Sequence, residues 1–161
     1  MPKRRPDVDE ARREIMEQLA LAEEGDAAAQ NALAAKFAQG YFVKKDLVAA
    51  LYWYGQAVKQ GYTHAKWNAG SMLIEGEGVS SKYVNLGMVL IEQAASCGDA
   101  SACNFLALCY GRGAYGVPQN SQVSEKWRQS AQDYRHLVEF GVPFDIEAHG
   151  VALTKSLLEW S

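Results

Sequence analysis

Glycines recur along this chain with a regular spacing. Gly25, Gly61 and Gly98 lie 36 and 37 residues apart. Each is followed fifteen residues later by a second glycine; this second set is Gly40, Gly76 and Gly113. A sequence period in the thirties is typical of a solenoid, in which each unit buries its apolar face by stacking on its neighbours. The chain is therefore predicted to be a short array of repeats, and such arrays usually bind other proteins.

The first half of each repeat has the apolar pattern of a helix. In the first repeat, small Ala29 is followed by Leu33 and Phe37, at positions i, i+4 and i+8. The aligned residues of the other two repeats are Ala65, Ala69 and Leu73, and then Ala102, Leu106 and Tyr110. Residues at these spacings lie on one stripe of an α-helix, whereas a strand would need alternate positions.

The second half of each repeat predicts another helix. A glycine such as Gly40 can adopt the positive φ that ends the first helix. The next helix places a large residue four positions before an alanine; these pairs are Trp53 and Ala57, Leu90 and Ala94, and Trp127 and Ala131. Two antiparallel helices joined by a short loop in every repeat make an all-α, αα-hairpin solenoid.

The repeated motifs resemble those of a known family. They stand at residues 25–30 (Gly-Asp-Ala-Ala-Ala-Gln), 50–54 (Ala-Leu-Tyr-Trp-Tyr), 76–79 (Gly-Glu-Gly-Val) and 116–119 (Gly-Val-Pro-Gln). Over roughly residues 25–134, the chain resembles the Sel-one-like repeat (SLR), a relative of the tetratricopeptide repeat. The resemblance implies a right-handed superhelix of about three repeats with a capping helix at both ends. It also implies a bacterial adaptor or scaffold rather than a catalyst.

The expected organisation is one continuous domain. Its parts are an N-terminal tail and capping helix (1–25), repeats 26–61, 62–98 and 99–134, and a C-terminal turn and capping helix (135–161). Gly87 lies inside the second helix of the second repeat, where glycine weakens a helix by about 1 kcal/mol unless close packing requires it. The third repeat is predicted to end its second helix at residues 134–135, without a closing glycine.

The two predicted capping helices flank the repeats. Asp7 or Asp9 can cap a first helix that runs to Glu24, with Ile15 on its apolar stripe; the other members of that stripe are Leu19 and either Ala22 or Leu21. After a turn, residues 145–160 form an amphipathic pattern. That last helix either seals the end of the solenoid or docks on a partner or a second copy of the chain. We therefore expect a monomer or a weak homodimer formed through the terminal helix.

Charge and composition argue against several classes of protein. The 161 residues include 16 basic and 19 acidic ones, which gives a net charge of −3. This mild negative charge does not indicate the basic surface that nucleic-acid binding requires. No apolar run is long enough to cross a bilayer, and the N-terminus has charged residues where a signal peptide would be apolar. We expect a cytoplasmic protein that binds neither nucleic acid nor membrane. Three cysteines without a signal peptide indicate reduced, mostly buried thiols, with a Cys97–Cys103 bridge as the alternative.

The sequence contains no recognisable catalytic constellation. The three histidines, His64, His136 and His149, lie on different predicted elements, and no His-x-x-x-His, Cys-x-x-Cys or Gly-x-Ser-x-Gly motif occurs. Two segments are rich in glycine, at residues 76–78 and 111–116. Neither ends in the lysine and serine of a phosphate-binding loop. We therefore expect no enzyme activity, no metal and no cofactor.

Partner binding is predicted on the first helices of the repeats. In TPR-like solenoids these helices line a concave groove. The register places the following residues on it: Asn31, Gln39, His64, Trp67, Ser71, Glu75, Ser101, Asn104, Leu108 and Arg112. Asn31, Trp67 and Asn104 share one slot, so two amides could clamp a peptide backbone beside an aromatic anchor. Alternatively, Trp67 fills core space left by Ala69, and His64 is either pH-sensitive in binding or simply solvated.

The other aromatic residues are predicted to be core residues rather than contacts; they are Tyr52, Trp53, Tyr54, Tyr110 and Trp127. Two functions then remain open. The first is an adaptor that binds a partner protein or peptide in the groove with micromolar affinity. The second is an immunity-type inhibitor that neutralises a bacterial toxin by tight one-to-one binding.

Overall fold

The computed structural model describes residues 7–79 and 82–139, and within these ranges the chain forms seven α-helices and no strand. The helices are α1 (Val8–Glu23), α2 (Ala27–Gln39), α3 (Leu47–Lys59), α4 (Thr63–Glu75), α5 (Val84–Ser96), α6 (Ala100–Arg112) and α7 (Ser121–Glu139). The pairs α2 and α3, α4 and α5, and α6 and α7 pack as successive hairpins, and α1 packs on α2. The predicted all-α repeat fold is confirmed.

The predicted apolar stripes form the core. Leu33, Ala69 and Leu106 are at most 1% exposed, and the alanines four positions after the large residues of α3, α5 and α7 are buried. Three clusters of buried side chains follow one another along the repeats. They begin under α1 with Ile15 and end at Ala131 of α7. The core is therefore continuous along the repeat axis, as in a solenoid.

Glycines end the first helix of every hairpin. Gly40, Gly76 and Gly113 are the C-caps of α2, α4 and α6 and adopt left-handed φ values of 69°, 76° and 69°. The residue two positions further on is also left-handed in each loop; these residues are Phe42, Gly78 and Tyr115, with φ of 54°, 76° and 55°. The first and third loops thus hold an aromatic residue in a conformation that favours glycine.

Replacing Phe42 by glycine is expected to raise the free energy of unfolding by about 0.5–1 kcal/mol. Left-handed backbone is unfavourable for a residue with a Cβ by about 1–2 kcal/mol, and the larger entropy of unfolded glycine offsets part of this. Phe42 is 44% exposed, so little core packing is lost. Chemical denaturation measures the difference. Gly78→Ala is the opposite control and should lower the free energy of unfolding, because the added Cβ would lie 2.4 Å from the Leu47 carbonyl oxygen. A Phe42→Gly protein less stable than the wild type would contradict the argument.

Two glycines allow α4 and α5 to approach closely. A Cβ on Gly87 would lie 2.6 Å from the carbonyl oxygen of Gly70 and 2.6 Å from Cγ1 of Ile74. A Cβ on Gly70 would lie 2.8 Å from Cγ1 of Ile91. Close packing therefore requires glycine at both positions, which explains why a weak helix former stands inside α5.

One predicted boundary is wrong. Helix α7 continues to Glu139 rather than ending at residues 134–135. Arg135 occupies the position at which Gly61 and Gly98 follow the second helices of the earlier hairpins, so the glycine stop is missing. The predicted final helix at 145–160, and with it the predicted homodimer contact, lies outside the described residues.

The N-terminal helix packs as a half-repeat on the first hairpin. Asp7 is the N-cap residue of α1, although its side chain makes no capping hydrogen bond. Ile15 and Ala22 are buried, whereas Leu21 is 48% exposed. The apolar stripe therefore follows the alternative that contains Ala22.

Candidate partner-binding surface

The first helices of the three hairpins lie side by side. The Asn68 amide on α4 donates a 3.2 Å hydrogen bond to Oδ1 of Asn31 on α2. The Trp67 ring packs edge-on against Phe105 of α6, with 5.7 Å between ring centroids. These contacts make α2, α4 and α6 one continuous surface, which we name the first-helix surface. Its members, as predicted from the register, are Asn31, Gln39, His64, Trp67, Ser71, Glu75, Ser101, Asn104, Leu108 and Arg112.

Every member of the first-helix surface retains solvent exposure. Asn31, Trp67 and Ser71 are half-buried, and the other seven are exposed. Leu108 is 54% exposed although it is aliphatic, so the core does not account for its side chain. The helical register thus predicts correctly which residues reach solvent. Their role in binding stays a prediction.

Three aromatic rings form a ladder beside this surface. Phe105 packs against Trp67 on one side and against Tyr115 on the other, with 5.6 Å between the centroids of the second pair. Trp67 also packs against the buried cluster that extends from Ile74 to Ala131. The sequence left open whether Trp67 is exposed or part of the core, and the structure shows that it is partly both. Tyr115 is 40% exposed and was missed by sequence reasoning. The signal available for it was an aromatic residue two positions after the helix-ending glycine, where the second loop has glycine.

The two asparagines predicted as a clamp differ in their surroundings. Asn31 accepts the hydrogen bond from Asn68, which fixes its amide plane, and Asn68 was not predicted. Asn104 is exposed, and within the described part of the chain its side chain makes no hydrogen bond. An amide carries both a donor and an acceptor, so Asn104 can pair with the backbone of an extended segment.

An ionisable pair lies at one end of the first-helix surface. Nδ1 of His64 lies 2.9 Å from Oδ2 of Asp99, and the Asp99 side chain is 7% exposed. Oδ1 of the same carboxylate accepts the amide of Ala102 and caps α6. The hydrogen bond to Asp99 raises the pKa of His64 above 6.5; burial opposes this shift, and the negative charge adds to it.

We expect this pair to make stability depend on pH near neutrality. Because the pKa of His64 is higher in the folded than in the unfolded chain, its contribution is fully present below the unfolded pKa of about 6.5. That contribution is lost as the pH rises through the higher folded pKa. Asp99→Asn keeps a capping side chain but removes the charge, and should abolish the effect. Unfolding across a pH series measures it, and an NMR titration that gives His64 a pKa at or below 6.5 would contradict it.

One aromatic residue predicted to be core lies elsewhere. Tyr52 is 57% exposed, whereas Leu51 and Tyr54 of the same helix are buried. It stacks edge-on against Trp53, with 5.1 Å between ring centroids. Trp53, Tyr110 and Trp127 are half-buried against the core clusters, as predicted.

Tyr52 lines an apolar pocket of about 300 Å³ that the sequence did not predict. The pocket lies between α3 and the α4–α5 connection and is lined by Val48, Leu51, Tyr52, Leu73, Gly78, Val79, Tyr83 and Leu86. Val48 and Tyr83 are exposed at its rim. Its exposed residues belong to α3 and to the α4–α5 connection, and only buried Leu73 comes from a helix of the first-helix surface. The pocket rim therefore offers a control position for that surface.

Metal ligands, membrane spans and disulfides were each predicted to be absent or unlikely, and the described residues show the following. No group of three or more His, Cys, Asp or Glu side chains there could hold a metal ion. No helix in the same ranges is long and apolar enough to cross a membrane. Cys97, Cys103 and Cys109 are free and buried, so the Cys97–Cys103 bridge considered from the sequence is not formed.

Comparisons with known proteins agree with this architecture. A search among curated proteins gave no match. The chain is similar in structure to a Sel1 repeat protein from Oxalobacter formigenes, with a TM-score of 0.70 and 22% identity over 75% of this chain and 48% of that one. It is also similar to a protective antigen of uropathogenic Escherichia coli with an SLR fold, with a TM-score of 0.66 and 24% identity over 90% of this chain and 32% of that one.

These structural similarities concern the fold, and the chain spans about half and a third of the lengths of the two proteins. The family model for the Sel1 repeat matches three times, at residues 27–62, 63–99 and 100–131. The matches coincide with the three hairpins and together cover more than half of the chain. The chain therefore belongs to the Sel1 repeat family.

Proposed function

We propose that this protein is a non-catalytic adaptor that holds a segment of a partner protein on the first-helix surface. Sel1 repeat proteins generally mediate protein–protein interactions, and their fold is a non-enzymatic scaffold. The observation that supports this surface most is exposed Leu108 on α6. Leu108 lies three residues after Phe105, the central ring of the ladder, and therefore on the neighbouring part of the helix face. An apolar group with an aromatic neighbour and a polar rim is the usual composition of an interaction hot spot.

The side chains around Leu108 suggest how a segment would bind. Leu108 and the exposed part of Trp67 supply apolar area for one anchoring side chain of the partner. Asn104 lies one helical turn before Leu108 and can hydrogen-bond to the partner's backbone. Arg112 lies one turn after it and carries a positive charge. We therefore expect a partner segment with an apolar residue near an acidic one.

Leu108→Asp is expected to weaken partner binding by more than about 30-fold, which corresponds to the 2 kcal/mol typical of a hot spot. The variant should fold normally, because Leu108 is 54% exposed. Asn104→Ala should weaken binding less. The experiment is affinity capture of the tagged protein from its native lysate, with bound proteins identified by mass spectrometry and the purified partner then titrated. Trp67→Ala is less suitable, because this half-buried residue also packs in the core.

Val48→Asp is the matched control, since it places the same charge on another exposed aliphatic residue, at the rim of the apolar pocket. Binding should survive this change. The proposal fails if Leu108→Asp binds normally and Val48→Asp does not, because the pocket would then be the binding surface. A nanomolar one-to-one complex with a toxin would favour the inhibitor alternative, which stays a prediction from the sequence, as does the cytoplasmic location.

A further inference from the structure

The core of the second hairpin contains a lysine. Lys66 of α4 is 0% exposed, and its Nζ has no hydrogen-bond partner among the described residues. It stands between buried Ala65 and a helix turn that contains buried Ala69 and Gly70. Burial lowers the pKa of Lys66, because a charged amine is poorly solvated there. An unpaired buried amine is unfavourable for folding, and its presence calls for a reason.

The repeats show what normally occupies this position. Gln30 and Cys103 are the residues equivalent to Lys66 in the first and third hairpins. Gln30 donates to the carbonyl of Ala22 at 3.0 Å, and Cys103 donates to the carbonyl of Ala95 at 3.5 Å. Each acceptor lies eight residues earlier, at the end of the preceding helix. Lys66 makes no such bond, so it departs from the structural role of its position.

Comparison of the repeats also indicates which side chain lies near Lys66. In the first hairpin, Gln60 is the C-cap of α3 and donates a 2.9 Å hydrogen bond to Gln30. The equivalent C-cap of α5 is Cys97. A pair of amides in one hairpin is thus replaced by an amine and a thiol in the next. Burial lowers the pKa of Lys66, and the negative charge of a Cys97 thiolate opposes that shift, in agreement with this placement.

We propose that Lys66 and Cys97, at the positions equivalent to the hydrogen-bonded Gln30 and Gln60, are an oxidation site at which a hydroperoxide converts the amine and thiol into a covalent Nζ–Sγ link. Cys97 is 5% exposed, compared with 0% for Cys103 and 2% for Cys109, so it is the most accessible thiol of the three. Burial raises the pKa of Cys103 to about 12 and also raises the pKa of Cys109, which disfavours their reactive thiolates.

The chemistry balances in two steps. The Cys97 thiolate attacks hydrogen peroxide, a sulfur–oxygen bond forms, the oxygen–oxygen bond breaks, and hydroxide leaves as water after protonation. Sulfur is oxidised by two electrons to the sulfenic acid. The neutral amine of Lys66 then attacks sulfur, a nitrogen–sulfur bond forms, and the sulfenic oxygen leaves as water with a proton from nitrogen. The sum is thiol plus amine plus peroxide giving a sulfenamide and two waters.

The buried amine suits the second step. Attack on sulfur requires the nitrogen lone pair, and burial increases the neutral fraction of Lys66. A glutamine, which the equivalent position of the first hairpin accepts, could not react in this way. The link would join α4 to the end of α5 and restrict opening of the second hairpin.

The test is mass spectrometry of the full-length protein after treatment with hydrogen peroxide. We expect a product lighter by two hydrogen atoms that a thiol reductant reverses, with peptide mapping that joins Lys66 to Cys97. A disulfide loses the same two hydrogens, so the mapping is decisive. Lys66→Gln should show oxygen added at Cys97 instead of the link, whereas Cys103→Ser should still form it.

Three results would overturn the proposal. The first is Cys97 oxidised to sulfenic or sulfinic acid in the wild-type chain without the link. The second is a Cys97–Cys103 disulfide as the product, and the third is Cys97 left unmodified while another cysteine reacts. Because the wild-type chain carries the principal measurement, the result does not depend on the folding of a variant.

Discussion

Gly87→Ala is expected to lower the free energy of unfolding by about 3 kcal/mol, at the upper end of the range for overpacked cores. An alanine in the middle of a helix would ordinarily stabilise it by about 1 kcal/mol relative to glycine. Here the added Cβ would lie 2.6 Å from the carbonyl oxygen of Gly70, and backbone cannot move aside as a side chain can. The two helices of the second hairpin would have to separate, which would disturb packing around Ile74.

Chemical denaturation of the wild type and the variant measures this loss. Asn85→Ala is the control, because Asn85 is an exposed position of the same helix and should change stability by less than about 0.5 kcal/mol. Gly70→Ala should destabilise through the same approach from the other side. The two losses should not add, since either substitution already separates the helices. A Gly87→Ala protein as stable as the wild type would show that α4 and α5 are not packed this closely.

Lys66→Gln is expected to raise the free energy of unfolding by about 2 kcal/mol. The substitution removes a buried amine without a hydrogen-bond partner, and an unsatisfied buried group is unfavourable by about 1–3 kcal/mol. The new amide can also donate to the carbonyl of Val58, as Gln30 donates to Ala22. Lys126→Gln, at an exposed position of α7, is the control and should have little effect. An unchanged or lower stability would indicate that Lys66 has a partner in solution.

The effect of Lys66 should also depend on pH. Its pKa is lower in the folded chain than the 10.5 of an ordinary lysine. Between the folded and the unfolded pKa, the unfolded state binds more protons, so stability rises with pH across that interval. The advantage of Lys66→Gln over the wild type should therefore shrink as the pH rises towards 10.5. An advantage that is independent of pH would assign the gain to the new hydrogen bond alone.

The sequence predicts the helices and their buried faces because both follow from local periodicity. Leu33 and Leu106 are buried at the positions their spacing requires, and Gly76 ends α4 with the positive φ expected of it. Where a local signal is missing, the prediction fails. Helix α7 passes Arg135 because no glycine ends it there. Tyr52 faces solvent although Leu51 and Tyr54 of the same helix turn are buried.

The candidate surface could be predicted only in part. Exposure of Leu108 and Asn104 follows from the helical register, since each helix keeps one face towards its hairpin partner. The Trp67–Phe105 and Asn31–Asn68 contacts join different hairpins, so they depend on the distance between repeats, which periodicity does not fix. The amine–thiol pair of the second hairpin is visible only once the structure shows that Gln30 bonds to Gln60.

An NMR titration of the isotopically labelled chain with the partner segment, mapped onto the side chains, tests the proposed binding surface most directly. The Trp67 indole and the Asn104 side-chain amide each carry N–H groups that report a contact at their own position. The proposal predicts that these two signals and the Leu108 methyl signals shift or broaden at saturation, while the rings of Tyr52 and Tyr83 stay unchanged. Shifts confined to Tyr52, Tyr83 and Val48, with the first-helix surface unperturbed, would contradict it.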